Sequence, residues 1–172
     1  MSQEFFSKPS LLELIASDDP QFIFDRLSYF IEQVLDFSTP YSRAVFYSGS
    51  NRQYAEAFAK KHGISTLELT PGGKYLDDLD LFNNNGTYKF GPPLSAEKAS
   101  ELWDKASRKF ALQARGYAYV FVQGIEPVNQ FGALRTFFRI ELPALLNSNK
   151  NMGTIYFMNN DGSTMGMYTI HL

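Results

Sequence analysis

Residues 43–70 read RAVFYSGSNRQYAEAFAKKHGISTLELT, and the division of this stretch decides the fold class. Arg43 to Ser48 is a short apolar run between turn residues, the pattern of a buried strand. From Asn51 to His62 the period changes. Tyr54, Ala55, Phe58 and Ala59 recur at three- and four-residue spacing, as on one face of a helix. Ser50 or Asn51 can cap that helix and Gly63 can end it. Ser65 to Thr70 returns to an extended pattern and is read as a second short strand. Strand, helix, strand in so short a span is the unit from which parallel sheets are built.

Working outward, Pro20 to Phe37 predicts an amphipathic helix, capped by Asp18 or Asp19 and preceded by a shorter helix over Pro9 to Ser17. Beyond Thr70, Pro71-Gly72-Gly73 reads as a turn, Lys74 to Phe82 as a short helical piece, and Asn83 to Pro93 as a loop. Ser95 to Arg115 is a long helix stopped by Gly116, and Tyr117 to Gln123 is the strongest strand in the chain. Gly124 to Arg135 is a loop. Thr136 to Leu146 is ambiguous and is read as an extended segment running into a turn at Pro143. Gly153 to Met158 and Met165 to Ile170 are further strands, the last at a sheet edge. The order predicts an α/β fold: a small, parallel-rich central sheet flanked by helices, with an N-terminal helical extension. Residues 1–40 form that extension and 41–172 the α/β part of one compact unit.

Composition narrows the function. The chain has 172 residues, a formal net charge of -2 and no cysteine. Disulfides, thiol nucleophiles and cysteine-bound zinc are thereby excluded. With His62 and His171 the only imidazoles, a histidine-rich metal site is excluded too. No basic stripe suggests nucleic acid, and no apolar run approaches the roughly 20 residues that cross a bilayer. Met1 to Ala16 lacks the apolar run of a signal peptide. The expectation is therefore action in a cytoplasm, by a free protein or a domain cut from a larger secreted one. Sixteen Phe, ten Tyr and one Trp mean either an aromatic core or a pocket that stacks flat rings.

In open α/β sheets ligands gather at the carboxyl ends of strands. Tyr47-Ser48, Glu68 with Thr70, and Gln123 stand at such ends. Glu68 is either an acid or base at the mouth of a strand or a solvated rim residue. Asp77, Asp78 and Asp80 read as the solvent face of a helix, with a magnesium site as the rival. His62 suits the C-terminal end of a helix dipole, and His171 is idle. Trp103 lies on its helix with Leu102, Ala106 and Phe110, which is a core pattern or a stacking platform; Ser107 is one turn further on and can pack or donate to a phosphate.

Together these segments resemble a known family. Ala44-Val45-Phe46-Tyr47-Ser48, Thr66-Leu67-Glu68-Leu69-Thr70, Tyr75-Leu76-Asp77-Asp78-Leu79, Leu102 to Ala111, Val120-Phe121-Val122 and Thr136-Phe137-Phe138-Arg139-Ile140-Glu141 follow in the order of the ADP-ribosyl cyclase / cyclic ADP-ribose hydrolase family. The likeness extends to NAD-degrading domains of bacterial polymorphic toxins. It spans roughly Arg43 to Asn147.

The resemblance implies cleavage of the bond between nicotinamide and ribose in NAD or NADP, without metal or other cofactor. Glu141 matches the catalytic glutamate. Glu68 matches the glutamate that binds the nicotinamide side and tunes the outcome. Tyr47 stands where the family usually has Trp. Trp103 matches the Trp that stacks on nicotinamide. Ser107 matches a phosphate-binding serine, with Thr136 and Phe137 at the phosphate end; apart from the resemblance, Ser48 at its strand end can also hold the pyrophosphate. The chain departs from the animal members in three ways: Leu69 replaces an acidic residue, Gly49 and Ser50 stand where an arginine is expected (Arg52 follows), and cysteine is missing. These departures fit a toxin-type member with a cognate immunity protein. Two other readings stay open: a metal-dependent nuclease using Glu68, Asp77 and Asp78, and a non-catalytic nucleotide-binding module.

Overall fold

The computed structural model describes residues 8–82 and 93–170. The chain divides into two compact units, neither of them contiguous. One takes its described residues from 1–36 and 71–106, the other from 37–70 and 107–172.

The first unit is helical. α1 spans Leu11–Ile15 and α2 Pro20–Gln33. Asp19 caps α2 by accepting from the backbone N–H of Gln21 at 3.0 Å, and Pro20 occupies the first turn, where a missing N–H costs nothing. Ile23, Leu27, Phe30 and Ile31 are buried, so the predicted apolar stripe is the packed one. α4 runs Pro71–Asp78 and therefore starts at the Pro-Gly-Gly that was expected to be a turn. Proline suits a first helical turn, and Gly72, buried, gives its N–H to the carbonyl of Asp36 at 2.8 Å. α5 spans Ala96–Gln113; Ser95 accepts from the Lys98 N–H at its start. Apart from Pro93, the loop expected over Asn83 to Pro93 falls outside the described residues, as does His171.

The second unit holds the sheet. β1 (Ala44–Tyr47), β2 (Gly116–Phe121), β3 (Met152–Met158) and β4 (Thr164–Thr169) lie side by side in that order. The first three are parallel and β4 is antiparallel to β3. In register, Val45, Tyr119, Tyr156 and Met167 form one row across the sheet. α3 (Arg52–His62) covers this face at β1, burying Ala55 and Ala59 against Val45, Phe121 and Met158. On the opposite face Phe46 meets the rings of Phe110 at 4.9 Å and Phe137 at 6.2 Å between centroids. Gly116 has φ +82, and a Cβ there would overlap Ser42 Oγ and the Tyr41 ring, so only glycine serves. All six β4 residues are exposed, Met167 at 66%.

Two expected elements are not formed. Ser65 makes an isolated bridge to Ala44, exchanging backbone bonds with Val45 and Arg43, but the strand stops there. Leu67–Leu69 turns into a 3-10 helix, and Thr70 Oγ1 donates to the Leu67 carbonyl at 2.6 Å, a local bond that competes with a ladder. The segment from Thr136 to Leu146, expected to be extended, is helical. Phe137–Glu141 and Ala144–Ser148 are π-helical turns, closed by Leu142 N–H to Phe137 O and Asn149 N–H to Ala144 O. Burial at Phe137, Glu141, Ala144 and Leu145 follows a helical spacing. Pro143 lies between the two turns within one unbroken helical run, where its missing N–H removes a backbone bond to the preceding turn.

Candidate functional site

The carboxyl end of β1 places Tyr47 and Ser48 beside the turn that carries Glu68. The bridge at Ser65 holds that turn along the free side of β1. Tyr47 then donates its hydroxyl to Glu68 Oε1 in a short hydrogen bond. Glu68 as a residue is half-buried, yet its Oε2 is buried and has no hydrogen-bond partner among the described residues. Ser48 Oγ and Thr66 Oγ1 are in the same condition. A buried oxygen left without a donor costs roughly 1–3 kcal/mol.

The electrostatics agree. Burial pushes the Glu68 carboxyl above its ordinary value, against the Tyr47 hydrogen bond, its own backbone N–H and the Arg52 charge, which favour ionisation. Glu56 adds a smaller upward push. Burial also raises the Tyr47 phenol strongly, and the charge of Glu68 raises it further, so it stays a donor at any physiological pH. Glu141 acts on Tyr47 in the same direction, which places its carboxylate within electrostatic reach of that ring. Glu141 itself is 7% exposed, at the end of the first π-helical turn. Single π turns recur at functional sites because they widen the helix and aim a side chain off the regular path.

The structure thus joins Tyr47 to Glu68 directly and sets Glu141 within electrostatic reach of Tyr47. Ser48 is buried there too, following Tyr47 directly. Phe137 is 1% exposed and packs on Phe46 and Phe138; its ring lies in the core under this region. Thr136 is exposed at the start of the π turn. Ser107 is buried on α5. Trp103 is half-buried on the same helix but belongs to the first unit. Asp77 and Asp78 are exposed at the end of α4.

Sequence reasoning missed two features. Arg52 and Glu56 form an i,i+4 ion pair at 2.6 Å on α3, and both act on Glu68; the helical spacing was legible, the direction of the pair was not. Asn51 stands at the helix start but makes no capping bond. Its amide donates to the Gln123 carbonyl at 2.9 Å, and Asn160 N–H reaches Gln123 Oε1 at 2.8 Å, tying the loops that follow β1, β2 and β3. A groove of about 610 Å³ lies elsewhere, lined by Arg43, Phe58, His62, Tyr117 and Tyr119 among others, and contains none of the candidates.

The order of these parts along the chain matches a known pattern: the family model for ADP-ribosyl cyclase fits residues 12–167. The chain belongs to the ADP-ribosyl cyclase family. No curated protein matches it. Among solved structures it is similar to porcine CD38 without ligand, at 24% identity and a TM-score of 0.50, over 83% of this chain and 62% of that one. Porcine CD38 holding a covalent intermediate, ribo-F-ribose-5'-phosphate, gives 21% identity and a TM-score of 0.53, over 78% and 61%. A further CD38 structure, from work on a flexible covalent enzyme–substrate complex, gives 18% and 0.51, over 72% and 53%. At such identities the likeness is one of fold. The chain spans between 53% and 62% of the length of these CD38 chains. ADP-ribosyl cyclases process NAD, so the α/β core seen here is that of an NAD-processing family.

Proposed function

We propose that this member of the ADP-ribosyl cyclase family hydrolyses the nicotinamide–ribose bond of NAD, with water, to nicotinamide and linear ADP-ribose, and that of NADP to nicotinamide and the 2'-phosphate of ADP-ribose. The observation that carries the reading is a pair of glutamates gathered around Tyr47, one of them with a buried, unpartnered oxygen.

Nicotinamide leaves as a neutral ring from a cationic pyridinium, so no strong acid is needed. The transition state resembles an oxocarbenium ion, with positive charge on the ribose. Glu141, buried and fixed by its helical turn, is suited to stabilise that charge; preorganised charge in a dry site is often the largest catalytic contribution. Glu68 is assigned the carboxamide side of the nicotinamide, as the resemblance implies. The Tyr47 ring can lie against the pyridinium, a contact worth about 0.5–2 kcal/mol. The buried hydroxyls of Ser48 and Ser107 are available to phosphate oxygens. The part given to Trp103 rests on the resemblance alone.

No metal or other cofactor enters this scheme. Thr136 is small and polar, so it gives adenine no platform from which to attack the ribose, and the product is mainly linear. Without cysteine the chain is indifferent to a reducing compartment; the role proposed is an NAD-depleting toxin domain acting in a cytoplasm, delivered by a larger secreted protein and held by an immunity partner. The test is incubation with NAD in EDTA, followed by chromatographic separation. Nicotinamide with linear ADP-ribose is expected. Activity that needs magnesium overturns the mechanism, and predominantly cyclic product overturns the product assignment.

A further inference from the structure

We propose that Tyr47 is a positioning residue: its hydroxyl engages Oε1 of Glu68 and thereby fixes the orientation and charge state of that carboxylate for the reaction. The proposal rests on the reading of Glu68 given above. It adds a role for the phenol that stacking alone does not require.

The geometry makes the case. A carboxylate has two equivalent oxygens, and an unrestrained Glu68 could offer either. Here Oε1 is taken by the hydroxyl at the tip of Tyr47, whose ring is fixed at the end of β1. Oε2 is buried with no partner among the described residues. The groups that reach Glu68 come from three directions. Tyr47 comes from β1, Arg52 and Glu56 come from α3, and a backbone N–H comes from the turn itself. Glu141, on the π turn, acts on Tyr47. A carboxylate held at one oxygen keeps a single orientation, which an unrestrained glutamate would not. An indole at position 47 carries its donor on the side of the ring and would not reach the same atom. The hydroxyl is therefore a feature of this chain's tyrosine.

The hydrogen bond also favours the ionised carboxylate, since a donor to the charged form lowers a carboxyl's pKa. Removing it in Tyr47→Phe keeps the ring and should let burial raise Glu68 further. Carbon-13 NMR of labelled glutamate carboxyls follows this directly and does not depend on activity. The acid limb of kcat/KM for NAD should move up by the same amount. Tyr47→Phe should have no further effect on that limb in a Glu68→Gln background, because one partner acts through the other. If Tyr47→Phe does not fold, the Tyr47 hydroxyl proton supplies the second test. It should resonate far downfield in the wild type and move upfield in Glu68→Gln.

An unmoved Glu68 titration in folded Tyr47→Phe, or a hydroxyl proton indifferent to Glu68→Gln, overturns the proposal even if NAD is cleaved normally. A moved titration in a protein that never cleaves NAD leaves the hold of Tyr47 on Glu68 standing and sinks the NAD reading instead.

Discussion

The two glutamates sit in very different frames. Glu68 lies on a 3-10 turn of three residues and is held by a side chain, the Tyr47 hydroxyl, with Arg52 and Glu56 adjusting its charge. Glu141 lies on a π-helical turn whose backbone closes over Phe137 and Leu142, above a core of phenylalanine rings. The first stands on a short turn with a tyrosine hydroxyl on its carboxylate, the second on a longer helical stretch that buries it. A group held by a neighbouring side chain is suited to binding, where a small adjustment costs little. A group buried in a helical stretch is suited to charge stabilisation, where movement at the moment of reaction would forfeit the benefit.

The contrast breaks most sharply at Glu141. Glu141→Gln keeps the shape and removes the charge, so kcat should fall roughly 100- to 1000-fold, about 2.7–4 kcal/mol. Affinity for NAD, read as a rise in melting temperature with ligand, should hardly change. Activity at the wild-type level in that variant would remove Glu141 from the chemistry. If Trp103 stacks on nicotinamide, Trp103→Ala should lose an intermediate amount, about tenfold in kcat/KM on the scale of a cation–π contact. NAD should then also quench the lone tryptophan of the wild type. A variant that melts earlier but turns over normally per folded molecule returns Trp103 to packing.

The smallest effect concerns Glu68 and stability. Its folded-state pKa is raised above the ordinary 4.5, with burial the main cause. The folded protein therefore binds this proton more tightly than the unfolded chain does. Stability from this group is fully present below about pH 4.5 and is lost as pH rises through the folded value. Glu68→Gln, which carries no charge to bury, should melt higher than the wild type at neutral pH, and the gap should close as pH falls towards 4.5. Measured melting curves across that range check the sign. A gap that widens on acidification would mean that Glu68 is stabilised as an anion and that burial is not the dominant influence.

Much of the sheet was legible because its strands are continuous apolar runs closed by turn residues. Ala44–Tyr47 and Gly116–Phe121 carry that signal, and α2 and α3 show helical spacing. The failures came where local chemistry competes with pattern. Ser65 to Thr70 alternates like a strand, yet a threonine hydroxyl bonding backward favours a turn. Thr136 to Glu141 is rich in β-branched and aromatic residues, which favour strands by propensity, but burial of Phe137 and Glu141 decides for a helix. Both misread segments carry candidate glutamates. Their identities were readable from the order of motifs; their frames were not, because a π turn and a 3-10 turn have no sequence period of their own.

The bare last strand has a practical consequence for anyone who concentrates this protein. β4 reads Thr-Met-Gly-Met-Tyr-Thr, with neither a charge nor a proline, and among the described residues it pairs on one side only. An irregularity opposite Phe157 and Met158 gives some guard against another strand joining it. Long storage at high concentration invites sticking at this margin, and a lysine in place of Met167 is the simplest way to keep the solution clear.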